Sequence, residues 1–415
     1  MKKNISSLAL YAVFFFCSLS LNAVDFGLVY TQNADVTVPE FNFKNTGLDL
    51  SGVFQPRFTA LFGEKGDLYV SAAVNYKADP LSGATPWNGI NSFAIIPELT
   101  RTDFACNLGF ADIKVGRMIY SDPLGFIANN LFDGAQASFI TGAGNIRAGC
   151  WYTGFLYKKR AAITMTEKEL ESSYSDVDYV DFANTYFAPS RILAALEYEH
   201  PSLAGFIGLN VSLMAQIDMG KEKLNSQYFT AALSVPGRFC ILDLGGCIEL
   251  IEYNNETTPA FAGDIGLTFI LPSTLERHIK LSWRYTSGVS EDKTYTAFLP
   301  LTTVTQGEIL EAKLSGLSLL CFDFTGRMSK SVSANMAFKY FLRTDFGTYR
   351  SYPVEKNASD GFFLGGEIFG RIIWNISTGV RMNFGTGAFL PSLGDVNPDK
   401  GIMWRTNLNF VISIY

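Results

Sequence analysis

A chain of 415 residues, 48 % of them hydrophobic and 17 % charged, is too apolar for disorder, and with a formal net charge of −6 no nucleic-acid partner is expected. Its length suits two or three soluble domains of average size, or a single closed β-barrel, a fold that often runs longer than that average.

The first element is a leader. Lys2 and Lys3 precede the apolar run LALYAVFFFCSLSL, which ends at Asn22-Ala23. A positive region, an apolar core and a small residue at the cut predict a secretory signal peptide over residues 1–23, leaving 24–415 as the exported domain. The run is short for a spanning helix, which needs about 20 apolar residues. Bulky Phe14 to Phe16 argue against acylation of Cys17. After Ala23 the longest apolar run is about GLSLLCF, far too short for a membrane helix.

The mature N-terminus, VDFGLVYT, reads as a strand, and in DLYVSAAVNYK Leu68, Val70, Ala72, Val74 and Tyr76 alternate with other residues. The segment VGRMIYSDPLGFIANNLFDGAQASF, Val115 to Phe139, follows, with Gly116-Arg117 ending a strand and Phe132-Asp133-Gly134-Ala135 returning to the wall. It resembles the alginate-export-like and related porin families over about twenty-five residues. The resemblance implies a barrel and a solute-channel role.

From Tyr157 to Ser190 no strand pattern is seen, which predicts the longest loop, able to fold inward or cover the mouth. Its acidic stretch TEKELESSYSDVDYVD clusters Asp176, Asp178 and Asp181 but lacks the Gly and final Glu of an EF-hand loop, so a solvated loop is expected and no metal. Beyond it FIGLNVSLMAQ and AGDIGLTFIL alternate, the latter with Ile265, Leu267, Phe269 and Leu271 on one face.

RHIKLSWRYT, Arg277 to Thr286, sets Ile279, Leu281, Trp283 and Tyr285 against His278, Lys280, Ser282 and Arg284. In SVSANMAFKYFLR the apolar face is Val332, Ala334, Met336, Phe338, Tyr340 and Leu342, with Asn335, Lys339 and Arg343 opposite. FFLGGEIFGRIIW groups Phe362, Leu364, Ile368, Ile372 and Trp374 against Glu367 and Arg371, and NISTGVRMNFG sets Val380, Met382 and Phe384 against Arg381 and Asn383. Pro201-Ser202, Pro236-Gly237 and Asn254-Asn255 separate segments as turns. The final strand WRTNLNFVISIY ends in an aromatic, as outer-membrane barrels do, but Tyr415 shares parity with Ser413, Asn409 and Arg405 rather than with Phe410 and Ile412. Either a bulge resets the register or Tyr415 points inward.

Such segments number about sixteen to eighteen, and bacterial single-chain barrels use even numbers. A polar inner set and an apolar outer set, with Trp283, Tyr285, Tyr340 and Trp374 near strand ends, fit two solvents and membrane-interface aromatic girdles. The expected fold is all-β, a transmembrane antiparallel barrel, in the outer membrane of a diderm, Gram-negative-type bacterium. Its expected partners are outer-membrane lipid, the barrel-assembly machinery and small polar solutes; the sequence leaves the oligomeric state open.

Five cysteines remain after the leader, Cys106, Cys150, Cys240, Cys247 and Cys321, and an odd number cannot all pair. Cys240 and Cys247 fall on opposite faces of one strand, so small wall hydrophobes are expected rather than disulfides. His200 and His278 are the only histidines, and neither sits in a metal spacing or nucleophile turn. No catalytic residue, metal or cofactor is expected, and the chain reads as no enzyme.

Charge is uneven: residues 277–415 hold 15 Lys and Arg against 11 Asp and Glu, whereas 24–276 hold 16 against 28. Inward parity gives a basic pore-lining set, Lys280, Arg284, Lys339, Arg343, Arg371, Arg381 and Arg405. It also gives an acidic one, Glu197, Glu199, Asp243, Glu249 and Asp264. Rings and patches of this kind set pore selectivity. The leading expectation is a porin-like channel for passive or weakly selective passage of small polar or charged solutes. The alternatives are a surface adhesin or antigen on a barrel scaffold, and a transporter of hydrophobic compounds, which would need an N-terminal plug and an apolar lumen.

Overall fold

The computed structural model describes residues 21–42, 46–62, 66–78, 93–272, 275–290, 295–345, 347, 349–351, 354–356 and 361–415. Residues 1–20 of the expected leader lie outside them.

Alternating apolar and polar residues bounded by turn chemistry make long strands, and eighteen of these close into one antiparallel sheet. The first seven are β1 (Leu21–Val38), β2 (Gly47–Phe62), β3 (Gly66–Ala78), β4 (Phe93–Asn107), β5 (Asp112–Ser121), β6 (Asn129–Thr141) and β7 (Gly144–Tyr152). Then come β8 (Arg191–Leu203), β9 (Ile207–Asp218), β10 (Asn225–Pro236), β11 (Cys240–Tyr253), β12 (Glu256–Leu271), β13 (Arg277–Thr286), β14 (Leu317–Arg327) and β15 (Val332–Arg343). A separate two-stranded hairpin, β16 (Tyr349–Ser351) and β17 (Val354–Lys356), precedes β18 (Phe363–Ser377), β19 (Val380–Leu390) and β20 (Met403–Ile414). Each barrel strand pairs with its sequence neighbour, and β1 pairs with β20, so the sheet has no free edge. A closed sheet satisfies its backbone internally, the condition for crossing a bilayer with strands. No helix among the described residues is long and apolar enough to cross a membrane.

The two rims differ. One carries tight turns, such as Ala204–Phe206 and Gly237–Phe239, and also the C-terminus. The Pro201-Ser202 turn expected from sequence is displaced: Pro201 and Ser202 belong to β8, which shifts register at His200/Leu203 and runs on to Leu203. The other rim carries the long connections, Thr153–Ser190 and Ser287–Gly316 foremost. The first holds three short helices, α1 (Lys158–Ala161), α2 (Glu167–Tyr174) and α3 (Phe182–Tyr186). A capping box fixes α2, with Thr166 and Glu169 each bonding the other's backbone N–H.

The outer wall is apolar. Phe26, Ile119 and Leu213 are 70 %, 64 % and 56 % exposed, and Ile265, Leu281, Trp283, Ile368, Ile372 and Leu408 are exposed on the same surface. Contiguous apolar exposure of this extent has lipid, not water, as its solvent. Trp283, Tyr285 and Tyr340 gird the long-loop rim, and Trp374 lies toward the turn rim. The Trp283 Nε1–H donates to Ser318 Oγ at 2.9 Å and Tyr340 OH to Leu393 O at 2.8 Å, so each ring keeps its polar tip satisfied.

Two register details differ from strict alternation. The β15–β18 ladder shifts between Phe341 and Leu342, with Gly365 at φ +132°, so Leu364 turns into the barrel and is fully buried rather than facing out. Tyr415 keeps its parity and points inward, where the Arg57 guanidinium lies 4.3 Å from its ring centroid.

Candidate functional site

The lumen is not an evenly charged tube. In the half nearer the long loops the inward residues include Met118, Trp151, Leu193, Met214, Tyr228 and Phe389, all buried. Three connections fold in and cover them. Phe126 and Ile127 from the β5–β6 connection, Ile163 from the β7–β8 connection, and Phe298, Leu301, Ile309 and Leu310 from the β13–β14 connection form one apolar cluster with this wall. Sequence parity missed it because these wall residues were read against an interior assumed polar throughout.

Hydrogen bonds fix the insertion. Asp122 accepts the N–H groups of Leu124, Gly125, Ile127 and Ala128 at 2.8–3.1 Å, folding its connection into a tight knot. Burial raises the Asp122 carboxyl above the usual range, and those four N–H groups pull against that shift. The Thr302 N–H donates to Ile127 O at 3.0 Å and the Thr303 N–H to Ala162 O at 2.8 Å, which ties the three connections together across the barrel. Arg284 on β13 reaches Phe126 from the far side, 4.6 Å from its ring centroid.

Segment Leu299–Glu311 runs between separated parts of the wall. Glu249 on β11 accepts the Leu299 N–H at 2.8 Å, and Tyr228 OH on β10 donates to Leu299 O at 2.6 Å. At the other end Glu367 on β18 accepts from the backbones of Glu308, Ile309 and Leu310 at 2.7, 2.9 and 2.9 Å. Arg371 meets Glu308 at 3.1 Å, while Arg405 on β20 meets Glu311 at 2.7 Å and donates to Glu308 O at 2.7 Å.

All twelve residues singled out from sequence lie on the inward parity, but they do different things. Glu249 and Arg343 are buried at 0 % and 3 % exposure, Glu249 beneath the inserted segment; neither borders open space, which corrects their assignment as pore lining. Glu197 is buried too, accepting from Tyr120 OH at 2.6 Å and ion-paired with Arg147. Arg284 pairs with Asp264 at 2.9 Å across β12–β13, so an expected basic face and an expected acidic one touch. Toward the turn rim Glu199, Asp243 and Asp264 border a cavity of about 460 Å³ beneath Pro123 and Leu124. On the strands that follow, no carboxylate among the described residues is ion-paired with Lys280, Lys339 or Arg381.

The Thr153–Ser190 connection sits on the wall through residues that sequence reading passed over. Buried Arg191 bonds Glu169 at 2.7 Å, Gln216 at 2.7 Å and Leu224 O at 3.0 Å. Tyr157, Tyr186 and Phe182 stack at 5.0 and 4.5 Å between centroids, and Tyr186 OH donates to Pro97 O. The acidic stretch makes no cation cage: Asp176 pairs with Lys159, Asp178 caps Val180, and Asp181 bonds Asn184. No metal-ligand group occurs among the described residues, and all five described cysteines are free.

No family model and no curated protein matches the sequence. Solved structures do match over nearly the whole chain. Pseudomonas aeruginosa OccK5 (OpdH) aligns over 94 % of this chain and 98 % of its own, with a TM-score of 0.60 at 10 % identity. The chain has the fold of the Occ barrels. OccK2 (OpdF) of the same organism, solved in complex with glucuronate, gives a TM-score of 0.58 at 8 % identity over 94 % and 96 %. The outer membrane protein opdK, also of P. aeruginosa, gives 0.58 at 9 % over 94 % and 98 %. The likeness of Val115–Phe139 to alginate-export-like porins finds no support in these comparisons. Its residues serve the hairpin itself, where Arg117 stands opposite Asp133, and Gly116 opposite Gly134.

Proposed function

We propose that this chain is an outer-membrane channel that passes small polar and charged solutes through a lumen narrowed by three inserted connections. The observation that carries this reading is the contrast between the two faces of one closed sheet. Ile265, Leu281, Leu320 and Ile368 are exposed on the outside, while Asp264, Lys280, Asp323 and Glu367 project from the same strands into the interior. A wall with lipid on one side and charge on the other separates two compartments and offers a polar route between them.

Residues 1–23 act as the export signal, and the barrel-assembly machinery inserts the remainder. The long-loop rim faces outward, as in bacterial barrels generally, where turns face the periplasm. Lys280, Lys339, Arg381 and Arg57 favour anions over cations, and a small carboxylate such as glucuronate, which OccK2 was solved with, is the first solute to test. Flux of a radiolabelled uronate into vesicles containing the refolded protein tests the proposal. Uptake above that of protein-free vesicles is expected, and vesicles no leakier than protein-free ones would count against it.

A further inference from the structure

Glu367 stands on β18 with Lys339 opposite it on one neighbouring strand and Phe389 on the other. It is 1 % exposed, yet its carboxylate does not serve the wall. It receives three consecutive backbone N–H groups, those of Glu308, Ile309 and Leu310, in the geometry of an anion-binding nest. Gly307 makes the nest possible. Its φ is +99°, and a Cβ there would lie 2.5 Å from Leu310 O and 2.9 Å from Glu367 Oε2.

The same segment carries two charges of its own. Glu308 meets Arg371 and Glu311 meets Arg405, so the inserted segment brings an acid to each of two basic wall groups. Arg405 is held in addition by Asp35 at 3.3 Å. These four side chains are part-exposed, at the boundary between the apolar cluster and the polar lumen.

We infer that Glu367 is a positioning residue that sets the bore and the charge of the passage: it seats the segment Gly307–Glu311 and so holds Glu308 and Glu311 as an acidic screen over Arg371 and Arg405. The inference rests on the channel reading. With the seat intact, solute meets a neutralised pair of arginines; with the seat lost, it meets a bare Arg371, an Arg405 held by Asp35 alone, and a segment free to move.

The test is single-channel recording of the refolded full-length protein in a planar bilayer, with reversal potential measured in a salt gradient. E308Q/E311Q keeps all three backbone donors to Glu367, so its steps should stay as quiet as wild type while the anion-to-cation permeability ratio rises severalfold. E367Q should show the same rise with steps that fluctuate between conductance levels. Should E367Q fail to give a heat-modifiable barrel, G307A disturbs the same seat from the segment's side and should give the same fluctuation. Wild-type reversal potential in E308Q/E311Q, or wild-type quiet steps in a folded E367Q or G307A, would overturn the inference while leaving a conducting wild type, and so the channel reading, in place. A non-conducting but folded wild type would overturn the channel reading, and the inference with it.

Discussion

Arg117 and Asp133 face each other across β5 and β6 and form a two-pronged pair, Nε to Oδ1 and Nη2 to Oδ2 both at 2.7 Å. The Arg117 Nη2 also donates to Phe155 O at 3.0 Å, so one side chain ties the wall to the root of the longest connection. A planar guanidinium matches a carboxylate in this way and an ammonium cannot. Removing one partner leaves the other charge largely buried. R117A should therefore lower the unfolding free energy in lipid vesicles by about 3 kcal/mol, whereas the double variant R117M/D133L should recover most of it. Equal losses in single and double variants, read from urea midpoints, would show that the pair does not act as a unit.

The lipid face makes a second prediction. Leu281 is 45 % exposed on the outer wall and Ser282 points into the lumen beside Cys321. L281R should cost about 2–4 kcal/mol if the site lies near the bilayer midplane, and S282R far less. Comparable losses from both would contradict the assignment of the two faces of β13.

How much was legible in the sequence follows from which solvent each residue meets. Where an inward residue meets water and an outward one meets lipid, as along Arg277 to Thr286, alternation reports the structure directly, and the strand and its faces could be read from parity; for Tyr415 parity left a bulge and an inward turn both open, and the Arg57 contact decides for the latter. Where an inward residue meets an inserted loop, both faces are apolar and alternation fades; Met118, Leu193 and Phe389 belong here, and the cluster they form was invisible. Leu364 illustrates a different limit, since the bulge ahead of Gly365 is a backbone event that changes parity without changing composition. The roles of Glu249 and Glu367 were hidden because their partners are backbone N–H groups of a distant segment, which carry no sequence signature beyond Gly307.

Lys313 gives a pH prediction. Burial lowers its ammonium pKa from 10.5 to about 8. Between those values the unfolded chain binds more protons than the folded one, so stability of the inserted connection rises as pH increases from about 8 to 10.5. Below about 8 both states are charged and the cost of burying the charge is fully present. Protection of the Ser287–Gly316 connection from protease should therefore be greater at pH 10 than at pH 7, and K313M should be well protected at both. Protection that falls on going to pH 10 in the wild type alone would contradict this sign.

The C-terminal aromatic yields a milder effect. Tyr415 stacks under Arg57 inside the barrel rather than facing lipid, so its contribution is one cation–π contact of about 0.5–1 kcal/mol. Deleting it should reduce the yield of heat-modifiable barrel only in part, and R57A should reduce it similarly; complete loss of assembly on deleting Tyr415 would show that the residue has a role this contact does not explain.

The central claim, a water-filled and selective passage, is tested most directly by current through the refolded wild-type protein in a planar bilayer. Ohmic steps are expected, with a reversal potential favouring anions that shrinks at high salt, because the Debye length falls from about 10 Å at 0.1 M to 3 Å at 1 M. The charge-reversing pair K280E/R381E should move that potential toward cations. A protein whose β-barrel signature is intact but which carries no current at any salt concentration would contradict the account.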